Sequence, residues 1–273
     1  MEEHLSRLTV WVNHLLGPIA LNILHALHVQ PSNSKYPIPE YLVMSVVVVI
    51  VGTVLALLVR SRLSVERPGA LQQVAEMLLT NPLGFGIKDL LEENVGHGGA
   101  KFIAFTGSIS IFVLLANLLG VIPAFSSPTG GSLPIVPLAC ALLTFLYFNW
   151  QGLRHQGPFG YLKTFAGPVW WLSWLIAPVE MISAAARILS LTVRLWANIF
   201  ASDLIYVIFL GLLMGPMQWG WSKSPVLGVV LGIFPALIPL LFVGLHIFVS
   251  VIQAYVFTVL PSIYLGLAVA EEH

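Results

Sequence analysis

Four ionisable residues stand where a chain has most reason to avoid them: Glu180, Arg187, Arg194 and Asp203 lie in an otherwise apolar run from 169 to 216. At mid-membrane depth each costs about 2.5 to 3.5 kcal/mol on insertion scales, and groups kept at that cost mark ion paths, proton relays or counter-ions. On a helix turning about 100° per residue, Glu180, Arg187 and Arg194 fall within about 40° of one another. Ser190 and Asn198 flank Arg194 at four residues on either side, so these groups form one polar stripe. Asp203, nine residues past Arg194, points about 180° away.

The two cations differ in company. Arg187 has Glu180 seven residues away and reads either as its ion-pair partner or as a side chain snorkelling toward an interface. Arg194 has no acid four residues from it, and a guanidinium stays charged at any working pH. In a second apolar run, 226–270, His246, Ser250 and Gln253 recur at i, i+4 and i+7, and Tyr264 falls on the same face. Carboxylates, an imidazole and an amide strung along helices can pass protons or hold ordered water.

Other chemistries are poorly supported. Ser250 and His246 share a face, as a nucleophile and base would, but no G-x-S-x-G context accompanies them. His25 and His28 have helical i, i+3 spacing, but with no Cys or acid beside them they read as solvated surface, as do His4 and His14, and no metal site is expected. There is no G-x-x-x-x-G-K-[ST] loop, so no ATP binding through that motif, and no cofactor is expected.

Such residues need a membrane scaffold to hold them. Of 273 residues, 58% are hydrophobic and 9% charged, against about 25% charged in soluble domains. Several apolar runs exceed the roughly 18 residues a spanning helix needs, and no alternating ten-residue pattern suggests a barrel. The expected class is an all-α polytopic membrane protein forming one membrane domain. The twelve basic and twelve acidic residues cancel, so charge points to no nucleic-acid partner. The single cysteine, Cys140, reads as a small core hydrophobe. The opening MEEHLSRLTVWVNH does not read as a removable signal peptide.

Along the chain, 1–38 forms a weakly amphipathic outer segment ending in the turn-rich QPSNSKYPIPE. A span follows at 39–60. Residues 64–94 mix apolar and charged side chains and predict an interfacial helix. Spans at 102–123 and 133–153 flank the turn SSPTGG. The long runs 169–216 and 226–270, separated by QWGWSKS, predict a hairpin of two helices. Forty-odd helical residues reach roughly 60 to 70 Å, about twice the hydrocarbon thickness, so each is expected to tilt strongly or to break at Pro178, Gly232, Pro235 or Pro239. Arg60, Arg62, Arg67, Lys88, Lys101, Arg154 and Lys163 fall on one side against Arg7, Lys35 and Lys223 on the other. The positive-inside rule then places the N-terminus outside and the C-terminus in the cytoplasm. The two halves carry no inverted hydropathy repeat, which weakens a typical secondary-transporter reading.

With these residues on the page, LSLTVRLWANIFASDLI resembles the signature of subunit a of F-type ATP synthases: an Arg-Leu pair, a nearby Asn, and an acid nine residues after the Arg. LHIFVSVIQAYVFTVLPSIYL is similar to that family's closing helix, PVEMIS places an acid fourteen residues before the Arg, NLLGVIP matches another family stretch, and the chain ends in EEH as some members do. It departs from the pattern in Ala197, where glycine is common, in Asp203, where many members carry Glu, and in Gly120, where some carry an acid. The resemblance implies a non-catalytic stator subunit in the plasma (inner) membrane, with a ring of c subunits, the b-subunit stalk, other ATP synthase subunits and membrane lipid as partners. It implies that Arg194 faces the ring carboxylates and separates two aqueous half-channels. Asn198, Asp203, His246 and Gln253 would line the outer path and Glu180 the cytoplasmic one; Arg187, Ser190, Ser250 and Tyr264 are further candidates. The coupling ion is expected to be H⁺. The alternative reading is a stand-alone cation/proton antiporter, which could also use buried Arg, Asp and His.

Overall fold

The structure, a computed structural model, describes residues 6–28, 30, 33, 35–81, 84–96, 98–122, 125–166, 171 and 173–269, without the side chains of 158, 159, 161–166, 213, 230 and 232–239. His4, His97, Pro123, residues 167–170 and the closing EEH lie outside the described residues. The described residues are mostly helical, with no strand among them. The helices are α1 (Arg7–Ala26), α2 (Glu40–Ser61), α3 (Ala70–Leu79), α4 (Ile87–Val95), α5 (Ile103–Leu119, entered through a 3-10 turn at Gly99–Phe102), α6 (Ile135–Ala166), α7 (Ser173–Lys223) and α8 (Pro225–Val269). Among the described residues five helices are long and apolar enough to cross a membrane: α2, α5 with its turn, the first part of α6, α7, and Leu240–Val269 of α8.

Element limits differ from the sequence expectation where local chemistry overrides hydropathy. Residues 64–94 hold two helices rather than one. α3 stops at Leu79, with Thr80 extended, just before Asn81-Pro82, because proline lacks the N–H a continuing helix needs and restricts the residue before it. α3 leaves Leu71, Val74 and Met77 exposed, while its buried Gln72 donates from Nε2 to Ser64 O at 3.0 Å and accepts the Ser64 N–H at 2.9 Å. α6 passes through a left-handed residue at Gly157 (φ 74°), a conformation that favours glycine, and resumes beyond it. α7 stays helical through Pro178 and on through the tryptophan-rich QWGW to Lys223; the backbone of α8 is likewise helical through Pro235 and Pro239.

The chain divides into two compact units. The first comprises 1–49, 115–133 and 196–251. Within it Ser6 caps α1, its Oγ accepting the Thr9 N–H at 3.2 Å while its own N–H donates to Glu40 Oε1 at 3.1 Å. Buried Asn13 donates to Ile38 O at 3.0 Å and accepts the Ile38 N–H at 2.9 Å. An amide on α1 thus satisfies the backbone of the Pro-rich approach to α2, which a proline-interrupted stretch cannot do for itself. The loop after α5 is laid on α7: Trp196 Nε1–H donates to Gly131 O at 2.8 Å.

The second unit comprises 50–114, 134–195 and 252–273. Its core gathers Ile87 and Leu91 of α4, Phe102, Phe148 of α6, and Leu265 and Ala268 of α8. Phe105 stacks on Tyr147 at 3.6 Å between ring centroids, and Phe148 meets Tyr264 at 5.5 Å. Asn94 ties α4 to α8 through a 3.0 Å hydrogen bond to Ser262 Oγ. Cys140 is buried in this unit.

Candidate functional site

In the first unit the end of α5, the second half of α7 and the first half of α8 converge on His246, which is 5% exposed. Its Nδ1 lies 3.0 Å from Ser202 Oγ and 3.6 Å from Asp203 Oδ1; its Nε2 lies 3.1 Å from the backbone carbonyl of Asn117. Asp203 is far more open than its partner, with 41% of its side chain exposed. A cavity of about 100 Å³ borders the pair, lined by Gly120, Ser202, Asp203, Tyr206, Phe242 and His246 among others. It is polar on one side and roomy enough for several waters.

Packing fixes the carboxylate's position. A Cβ on Gly130 would stand 2.6 Å from Ile199 Cγ2 and 2.9 Å from Asp203 Oδ2, so only glycine leaves the loop this close to α7. Behind the histidine, Thr129 Oγ1 donates to Asn117 Oδ1 at 2.6 Å, and Ser127 Oγ donates to Ala116 O at 3.0 Å. Asn117 Nδ2 is buried without a partner. Ser250, in the same unit, donates to the backbone carbonyl of His246 at 2.7 Å. Its hydroxyl is bonded along its own helix, which is not the geometry of a nucleophile held by an imidazole.

In the second unit Arg187 Nη2 lies 3.1 Å from Glu180 Oε1, and its guanidinium sits over the Tyr264 ring at 5.2 Å. Of the two readings open for Arg187, the ion pair is the one observed. The i, i+7 spacing brings the two side chains to the same face two turns apart, and the aromatic face adds a cation–π contact. Arg194 is different. It is exposed, its polar contact is a long 3.4 Å bond to Ser190 Oγ, and no carboxylate among the described residues lies within ion-pair reach. Gln253 is buried at 2% exposure, and its Oε1 has no partner; Asn198 is exposed.

The expected site residues are thus placed as follows: Asp203, His246 and Ser250 in the first unit; Glu180, Arg187 and Tyr264 together in the second; Arg194 with Ser190 there; and Gln253 with its Oε1 unpartnered. Sequence reasoning missed Ser202 and the Asn117 carbonyl. A single serine in an apolar helix is commonplace, and a backbone acceptor has no signature in residue type; the NLLGVIP stretch contained Asn117 without indicating its partner.

The family described as ATP synthase A chain matches residues 41–266. The chain is 37% identical over 266 residues to ATP synthase subunit a of Koribacter versatilis, covering 97% of each protein. It is 39% identical over 237 residues to ATP synthase subunit a of Solibacter usitatus, covering 87% of this chain and 90% of the relative. To ATP synthase subunit a of Nitratidesulfovibrio vulgaris it is 38% identical over 219 residues, covering 80% and 81%.

Proposed function

The chain belongs to the ATP synthase subunit a family, and from that premise we propose that it is the proton-translocating stator subunit of a rotary ATP synthase. It performs no ATP chemistry itself. It works in the plasma membrane against a ring of c subunits, anchored by the b-subunit stalk. Arg194 faces the ring. Asp203 and His246, with Asn198 and Gln253, serve the path from the outer face, and Glu180, held by Arg187, serves the cytoplasmic path.

The observation that carries this reading is the isolation of Arg194. A guanidinium in an apolar helix, exposed and without a carboxylate in reach among the described residues, requires an anion from elsewhere. A carboxylate passing on a neighbouring subunit supplies it. Beside a fixed cation in a low-dielectric setting the charged form of that carboxylate is favoured, so it gives up its proton as it arrives. The same cation repels a proton crossing directly from one aqueous path to the other.

Arg194→Ala in the assembled complex is expected to abolish ATP synthesis driven by a proton gradient while the complex still assembles. Coupled synthesis at the normal rate would remove Arg194 from the mechanism.

A further inference from the structure

We propose that Ser202 is the positioning residue that keeps the Nδ1 lone pair of neutral His246 beside Asp203. The inference deepens the proton-path reading above and rests on it for its functional consequence.

The ring's far nitrogen is committed first. Asn117 lies in the last turn of α5, which ends at Leu119; its carbonyl accepts the Gly120 N–H at 3.2 Å and keeps a second lone pair for the ring. Its carbonyl oxygen can only accept, so Nε2, at 3.1 Å, carries a proton in both charge states of the ring. The acceptor is itself held in place: the Asn117 side chain receives the Thr129 hydroxyl, and Ser127 is tied to Ala116 O. Neutral His246 is therefore the Nε2–H tautomer, and all proton exchange takes place at Nδ1.

Nδ1 faces two oxygens of α7. Ser202 Oγ at 3.0 Å is the closer and is at hydrogen-bond distance; Asp203 Oδ1 at 3.6 Å is beyond it. In the neutral ring the Ser202 hydroxyl donates to Nδ1 and holds the imidazole plane toward the cavity. When Asp203 gives its proton to Nδ1, the products are an aspartate and an imidazolium. Because Nδ1 has a single lone pair, the serine hydrogen rotates away before the proton arrives, and Oγ can then accept from Nδ1–H. A hydroxyl suits this position because it donates in one state and accepts in the other. Among the described residues the titratable groups at the cavity are Asp203 and Tyr206 of α7 and His246 of α8, while α5 presents the Asn117 carbonyl.

The test is solid-state nitrogen NMR of histidine-labelled complex in lipid, with His246 assigned by its loss in His246→Gln, alongside passive proton conduction through the membrane sector. The wild type is expected to show neutral His246 protonated on Nε2. Ser202→Ala is expected to keep that tautomer, move the Nδ1 resonance toward that of an unbonded imidazole nitrogen, and slow conduction roughly fivefold, the factor of one ordinary hydrogen bond. Ser202→Thr, which keeps the hydroxyl, restores both. A wild-type Nδ1–H tautomer, an Nδ1 resonance unmoved in Ser202→Ala, or a moved resonance with unchanged conduction would each overturn the proposal. The nitrogen spectrum does not depend on Arg194, so a failure of Arg194→Ala to uncouple the complex would count against the broader reading and not against this one.

Discussion

Two arginines seven residues apart on one helix are chemically identical and differ only in what surrounds them. Arg187 has a carboxylate at 3.1 Å and an aromatic face at 5.2 Å; Arg194 has a serine hydroxyl at 3.4 Å. The spacing in sequence allows the pair without choosing it over snorkelling, because Glu180 is two turns from Arg187, and it offers Arg194 no acid one turn away. A double-mutant cycle checks the difference. Glu180→Met or Arg187→Met alone leaves one charge unpaired, whereas the double change removes both. The double variant is expected to be more stable than the summed single effects imply, by about 1 kcal/mol for a half-exposed pair. Thermal unfolding of the assembled complex measures it, and strictly additive effects would mean that the pair does not act as one. His246 was legible as a candidate because of its company at i+4 and i+7. Its actual partners were not: Ser202 is 44 residues away and Asn117 is 129, and no periodicity reports bonds between distant segments.

Among elements, hydropathy identified the apolar runs that form α2, α5, the first part of α6, α7 and α8, because a stretch apolar on every face has one stable conformation in lipid. It does not fix ends and breaks, which are set by single residues: α3 stops just before Asn81-Pro82, whereas Pro178, one of the places offered for a break, lies inside α7. The loop SSPTGG was legible as a turn, but not as the piece that fits against α7 at Trp196, Ile199 and Asp203. That fit depends on the missing side chain at Gly130. Gly130→Ala puts a methyl 2.6 Å from Ile199 Cγ2 and 2.9 Å from Asp203 Oδ2, so the loop must lift or the carboxylate must turn. The expected cost is about 1 to 3 kcal/mol of stability, the usual range for overpacking, together with reduced proton conduction. Adding Ile199→Ala opens the tighter of the two contacts and should recover part of the stability. Gly130→Ala at full stability and full conduction would show that the loop has slack the geometry denies.

For the whole molecule, composition points to a membrane protein, and the motifs around Arg194 and His246 carry a resemblance to the family that the match over residues 41–266 shows. Whether the chain acts alone or in company turns on charge and surface together. Little of the most apolar stretch of α7 is buried within the chain, and the same helix exposes Arg194 with no carboxylate among the described residues to meet it. A lone transporter would have to neutralise that cation internally in at least one state, because an uncompensated guanidinium facing hydrocarbon costs several kcal/mol. A stator meets the same need from outside, each time a ring carboxylate comes opposite. The purified chain in liposomes is therefore expected to pass no protons above the leak of empty vesicles under an imposed potential, and co-reconstitution with c subunits is expected to produce conduction that Arg194→Ala alters. A pH-sensitive dye inside the vesicles reads both cases. Steady cation-coupled proton flux from the chain alone would favour the antiporter, since it would require a complete carrier cycle that the unpaired Arg194 does not provide.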